Sequence, residues 1–260
     1  MGVLKNASVV LITLAALCAA PLWADTPPAT DTPNFTAILN AVDGNGDFAK
    51  QDYSAVLTIV TQKPNEKDTL LQVKLFRRDL HDQMVWIMQK PEAQKGQGFL
   101  KVDENIWMYD PESGKFSHST MKEQIQDSKA KSSDLKRTSY VNDYDIATTA
   151  EGMLGKYPVW VITLKAKNDE VSYQSVRLSI RKDKPLVLKE EDFSVSARLM
   201  RTVIFPPTYI EIAGKSVPSQ TLITDELNKG EKSAMTISDV SVATLPDSTF
   251  SKAFLNQSSK

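Results

Sequence analysis

From residue 53 onward, apolar and polar side chains alternate with a period of two, interrupted by short polar or Gly- and Pro-containing stretches. Successive side chains of an extended chain point to opposite faces, so this alternation predicts half-buried strands. Strands are expected at 53–61, 69–77 and 83–89, the first two joined by a turn at 63–68. Further strands are expected at 98–102, 106–109, 115–119, 144–150, 158–166, 175–181, 185–191, 199–205, 209–212, 219–224 and 234–242. Short strands linked by turns such as Pro111-Glu-Ser-Gly114 and Asn168-Asp-Glu170 predict one antiparallel sheet rather than parallel βαβ units.

Helical spacing is confined to a few places. Phe35, Ile38, Leu39 and Val42 predict a helix after Pro33, stopped by Gly44 and Gly46. A short helical piece is expected at 91–95. Residues 121–136 are polar and charged, with Met121, Ile125 and Leu135 as the sizeable apolar side chains. They read either as a surface helix or as a mobile crossing segment. A sheet this long has too much edge and apolar surface to stay flat. The expected fold is therefore mainly β with a few helices (α+β): an incomplete antiparallel β-barrel or curved sheet, with helices covering the concave face. It occupies residues 34–260 as a single domain.

Residues 7–20 break the pattern. They form an uncharged apolar run behind Lys5, followed by Pro21 and the small residue Ala24. At about 14 residues the run is shorter than the roughly 20 that span a bilayer. This is the layout of a cleaved signal peptide at 1–24, with export to a periplasm and a soluble protein after cleavage. Lipidation at Cys18 is disfavoured because Leu17 stands where a small residue is needed. Residues 25–33, rich in Pro, Thr and Asp, are expected to be a disordered tail.

Composition sharpens this reading in two ways. Cys18 is the sole cysteine, so no disulfide supports the exported part and its core must hold it together. Lys and Arg number 31 against 32 Asp and Glu, a balance that does not point to nucleic acid or an anionic membrane surface.

Motifs with catalytic or metal-binding potential are weak. Asp43-Gly-Asn-Gly-Asp47 opens like a calcium loop, but Phe48 and Ser54 stand where glycine and glutamate are required. It reads as a helix-ending turn. His81 and His118 have no metal-ligand spacing. Gly96-Gln-Gly98 reads as a tight turn rather than a phosphate cradle. No Gly-x-Ser-x-Gly elbow occurs, and Lys189-Glu-Glu-Asp192 reads as solvated surface. No catalytic group, metal or cofactor is expected. The chain does carry large soft side chains, among them Met84, Trp86, Met88, Phe99, Trp107, Met108, Tyr109 and Trp160, suited to core or to an adaptable apolar lining.

Lys90-Pro91, Lys95-Gly-Gln-Gly-Phe-Leu100, Asn105-Ile-Trp-Met-Tyr-Asp-Pro111 and Gly114-Lys115 resemble the signature of the outer-membrane lipoprotein-sorting (LolA-like) protein family. Ser132-Ser-Asp-Leu135, Gly214-Lys-Ser-Val-Pro218, Lys229-Gly230, Ile237-Ser-Asp-Val240, Phe250 and Leu255 continue it in order. The resemblance implies an incomplete barrel lidded by helices. It also implies a periplasmic carrier, a monomer that takes acylated lipoproteins or lipids from an inner-membrane transporter toward the outer membrane. Hydrocarbon in water costs about 0.8 kcal/mol per methylene, so such transit requires a sheltering cavity. If the apolar face of the first three strands is concave, that cavity is lined by Leu57, Ile59, Leu71, Val73, Leu75, Trp86, Met88, Leu100, Trp107 and Tyr109. An accessory or interaction module of an envelope transporter or sensor, with a filled core and no lipid cargo, remains the alternative.

Overall fold

The helix expected after Pro33 forms as α1 (Phe35–Asn45), started by the Asn34 side chain, which accepts from the Ala37 N–H at 2.9 Å. It runs through Gly44 and is capped at Gly46, the second of the two glycines expected to stop it. The computed structural model describes residues 1–2, 33–48, 50–137 and 139–258. The signal peptide predicted at 1–24 and the tail at 25–33 lie outside the described residues, apart from Met1, Gly2 and Pro33. Residues 34–260 make up one compact unit.

Strands β1 (Tyr53–Gln62), β2 (Thr69–Arg78), β3 (Gln83–Lys90), β4 (Gly98–Val102), β5 (Asn105–Asp110) and β6 (Lys115–His118) form a meander, each pairing antiparallel with the next. A second series follows: β7 (Tyr144–Leu154), β8 (Tyr157–Ala166), β9 (Ser175–Arg181), β10 (Val187–Phe193) and β11 (Leu199–Ile204). After β12 (Tyr209–Ile212) and β13 (Lys215–Pro218), which pair only with each other, come β14 (Gln220–Asp225) and β15 (Lys232–Val242). The sheet order is β6-β5-β4-β3-β2-β1-β15-β14-β11-β10-β9-β8-β7. One large antiparallel sheet thus forms, curved and not closed into a barrel, as the alternation predicted.

This order places β6 and β7, adjacent in sequence, on opposite edges. Residues 119–143 must therefore cross the whole width, and they do so over the concave face. Ile125 and Ala130 are 0% exposed, and Ser128, Ser132 and Leu135 are also buried. No α-helix forms at 121–136. The segment bonds to itself instead, Ile125 N–H donating to Ala130 C=O at 2.9 Å and Ser132 N–H to Glu123 C=O at 2.9 Å. It ends in a 3-10 turn at Ser132–Leu135 and in α2 (Tyr140–Asp143). The three sizeable apolar residues do not make a helical stripe, so packing against the sheet decides the conformation.

Two apolar clusters fill the concave side. One joins Tyr53, Leu57, Ile59, Val73, Trp86 and Phe99 to Ile125 and Leu135 of the crossing segment. The other joins Leu39 and Val42 of α1 to Ile162, Leu164, Leu178 and Ile180. A third lies on the opposite face, where α3 (Lys252–Ser258) and Phe250 cover Val85, Ile87, Leu100 and Tyr109. A Cβ at Gly98 would stand 2.6 Å from Leu255 Cδ2, so glycine lets this helix approach. The cover of the concave face is thus α1, α2, the crossing segment and the β12–β13 hairpin; α3 serves the other side.

Candidate functional site

Packing beneath this cover is uneven. Around Ile59, Val73, Trp86, Met88 and Phe99 it is solid, whereas among the described residues two cavities lie toward β10, β11, β14 and β15. The smaller, about 180 Å³, lies among the end of α1, the β12–β13 hairpin and the inner faces of β1, β2 and β15, with Val42, Phe48, Leu57, Leu75, Val217 and Ile237 on its walls. The larger, about 620 Å³, runs beneath the crossing segment past Val176, Val203 and Ile223. That volume falls in the roughly 300–1,000 Å³ range of small-molecule sites. Phe205, Thr221, Met235, Asp134 and Tyr140 line both.

The residues expected to line a cavity divide three ways. Leu57 and Leu75 do line the smaller one. Ile59, Leu71, Val73, Trp86 and Met88 share the inner cluster but are packed solid, with Ile59, Val73 and Met88 0% exposed. Leu100, Trp107 and Tyr109 belong to the opposite face, grouped with Phe250 and Leu255. Alternation is the cause: on β4 it is Phe99, and on β5 Ile106 and Met108, that turn inward. Trp107 stacks loosely on His118 and lies under the Lys252 ammonium at 4.1 Å.

The four residues read as solvated surface also divide. Lys189 and Glu191 pair at 2.8 Å on the outer face of β10, whereas Glu190 and Asp192 point inward. Asp192 is 0% exposed. Its cross-strand neighbour Arg201 donates from Nε to Asp192 Oδ2 at 2.5 Å, and from both Nη atoms to Asp134 of the crossing segment at 2.7 Å each. Tyr140 of α2 donates its hydroxyl proton to Glu190 Oε2 at 2.5 Å. Burial, then the neighbouring Asp192 carboxylate, push Glu190 well above the usual carboxylate range. Burial raises Asp192 as well, against the pull of Arg201. Tyr144 and Tyr173, also on the cavity wall, have their phenols raised by burial and by these acids.

Other polar contacts pin the cover. Arg77 is held by Asp79 at 2.6 Å and donates to Gly46 C=O at 2.7 Å, tying the end of α1 to β2. Lys129 is clasped by Asp225 at 2.9 Å and by Glu231 at 2.5 Å, and its N–H donates to Ser233 Oγ. Asp43 accepts the first N–H groups of α2 from Tyr140 and Val141 at 2.9 and 3.0 Å, and Asp47 pairs with Arg137. The carboxylates of the apparent calcium motif are thus spent on joining α1 to α2 and to the crossing segment. Among the described residues no cluster of three or more His, Cys, Asp or Glu is arranged to hold a metal ion. Nor is any helix there long and apolar enough to cross a membrane.

A half-open antiparallel sheet with a covered, partly hollow concave face is the architecture of LolA-like proteins. The chain superposes on a LolA superfamily protein from Nitrosomonas europaea with a TM-score of 0.74 at 22% identity, covering 84% of this chain and 97% of that one. An outer membrane lipoprotein-sorting protein domain from Vibrio parahaemolyticus matches with a TM-score of 0.73 at 17% identity, over 85% and 97%. A DUF1329 family protein from Desulfovibrio piger matches with a TM-score of 0.73 at 16% identity, over 86% and 100%. A family model described as "uncharacterized protein" matches residues 81–257, more than half the chain. None of the curated proteins matches in sequence. The chain belongs to this family, and its fold is that of the LolA-like structures on which it superposes.

Proposed function

We propose that this protein is a periplasmic carrier that shelters the hydrocarbon of a lipid or acylated lipoprotein between its sheet and the crossing segment. The observation that carries the reading is the pair of adjoining cavities over β10, β11, β14 and β15, joined through Phe205, Thr221 and Met235. Hydrocarbon placed there leaves water at a gain of about 0.8 kcal/mol per methylene. Irregular backbone and polar pins, rather than a continuous apolar seam, hold the cover, so it is the part of the molecule suited to yield to a longer chain. The export signal read at 1–24 supports a periplasmic setting, and an inner-membrane donor and a monomeric carrier complete the proposal. The role is binding rather than catalysis.

Native mass spectrometry of the purified protein, with a fluorescent acyl probe titrated against it, tests this. Bound lipid, or saturable probe binding that Thr221→Trp weakens at least about tenfold, supports the carrier. A well-folded protein that binds no acyl probe would falsify it. The solid packing around Trp86 and Phe99 would then favour an interaction module instead.

A further inference from the structure

We propose that the end of the larger cavity walled by Glu190, Asp192, Tyr140, Tyr144 and Tyr173 binds an ammonium group on a hydrocarbon ligand, an inference that rests on the carrier reading above. Glu190 and Asp192 stand two apart on β10 and look into the cavity, opposite Leu178 and Val176 on β9 and Val203 and Arg201 on β11. Arg201 is fully engaged by Asp134 and Asp192. The Lys131 ammonium is committed to the Tyr173 ring at 4.2 Å. Asp192 Oδ1, by contrast, is buried and accepts no hydrogen bond from a nitrogen or hydroxyl donor among the described residues; it faces the Glu190 carboxyl. When no proton lies between the two carboxyls, that buried oxygen is left unpaired, which is costly, and a donor arriving from the cavity relieves that cost.

Charge points the same way. Glu190, Asp192 and Asp134 set three carboxylates against the two cations Arg201 and Lys131, while Asp43 is turned to the α2 N–H groups and Asp143 to Lys136. One negative charge is left, and at low dielectric it is met either by a proton shared between Glu190 and Asp192 or by a cation from the cavity. An entering ammonium takes the proton's place. One N–H donates to Asp192 Oδ1, a second to the Glu190 carboxylate, and the shared proton leaves to water. Tyr140 and Tyr144 stand beside the acids on the cavity wall, while the ligand's chain lies over Val203, Phe205, Ile223 and Met235. A phosphate or carboxylate head would meet the same acids with the wrong sign.

Isothermal titration with dodecylammonium, dodecanol, laurate and ethanolamine separates the possibilities. The expected result is that dodecylammonium binds about tenfold or more tighter than dodecanol, with laurate weakest. Titrations in two buffers of different ionisation heat should show close to one proton released per dodecylammonium bound. Glu190→Gln, which keeps the Tyr140 hydrogen bond, should abolish both the preference and the proton release; Asp192→Asn provides a second variant should the first fail to fold. Equal binding of amine and alcohol without proton release overturns the ammonium site while leaving the carrier intact. Ethanolamine binding with proton release, in the absence of any long-chain binding, keeps the site and removes the carrier. No binding of any of the four overturns both.

Discussion

Gly98 shows how one residue on the sheet settles the position of a distant helix. A methyl group there meets Leu255 Cδ2 at 2.6 Å, so Gly98→Ala should cost about 1–3 kcal/mol by overpacking. Leu255, fully buried beneath it, should cost about 2–5 kcal/mol when cut to alanine. The double variant should cost less than the sum, because the second change removes the atom the first collides with. Urea denaturation of the three variants checks this, and strict additivity would count against the contact. Arg201 is the counterpart on the inner face. Arg201→Met leaves Asp134 and Asp192 without their shared partner, and such a loss costs about 3–5 kcal/mol. The same denaturation curves should report it, and a change below about 1 kcal/mol would show the ion cluster to be solvated.

At the scale of elements, the crossing segment behaves as a strap tied at separate points, among them Lys129 and Asp134. Burial would raise Asp225, but hydrogen bonds from Asn228, Lys129 and the N–H groups of Asn228 and Leu227 outweigh it and hold the carboxyl down to about 2. A carboxylate lowered in the folded state adds stability that is present above its unfolded pKa of about 3.8 and is lost as pH falls through the folded value. The tie should therefore weaken between about pH 5 and pH 2, by roughly 2 kcal/mol in all. Glu190 works in the opposite sense: its raised pKa makes the folded state hold more protons, so its contribution declines as pH rises. Asp225→Asn should flatten the acid limb of a stability-against-pH curve, and hydrogen exchange at 120–136 should speed up before that of β1–β3. Simultaneous exchange of both regions on acidification would contradict a separately tied strap.

For the molecule as a whole, the contrast between the solid packing around Ile59, Val73, Trp86 and Phe99 and the cavities toward β10, β11, β14 and β15 is the feature that bears on function. Filling the cavities should block acyl binding without harming the fold, as Thr221→Trp tests. Trp107→Ala, on the opposite face, should leave probe affinity within about twofold. Loss of binding in that variant would move the ligand to the α3 side.

Period-two alternation is local: it follows from the backbone of each strand, and β1, β2, β4 and β9 stand within one residue of where the sequence predicted them. Local pattern likewise places α1 and the turn at Gly96, whose φ of 83° suits glycine. Which face looks inward is not local. β3 reads Met-Val-Trp-Ile-Met because both of its faces are covered, one by residues 119–143 and the other by residues 245–255, and no pattern within the strand distinguishes them. The same remoteness hides the acid pair. Glu190 and Asp192 look like surface beside Lys189 until pairing with β9 and β11 fixes the phase of β10 and turns them toward Arg201. Chain chemistry thus determined the elements and the sheet, whereas the positions of the cavities and of the inward charges were decided by contacts among segments far apart in sequence.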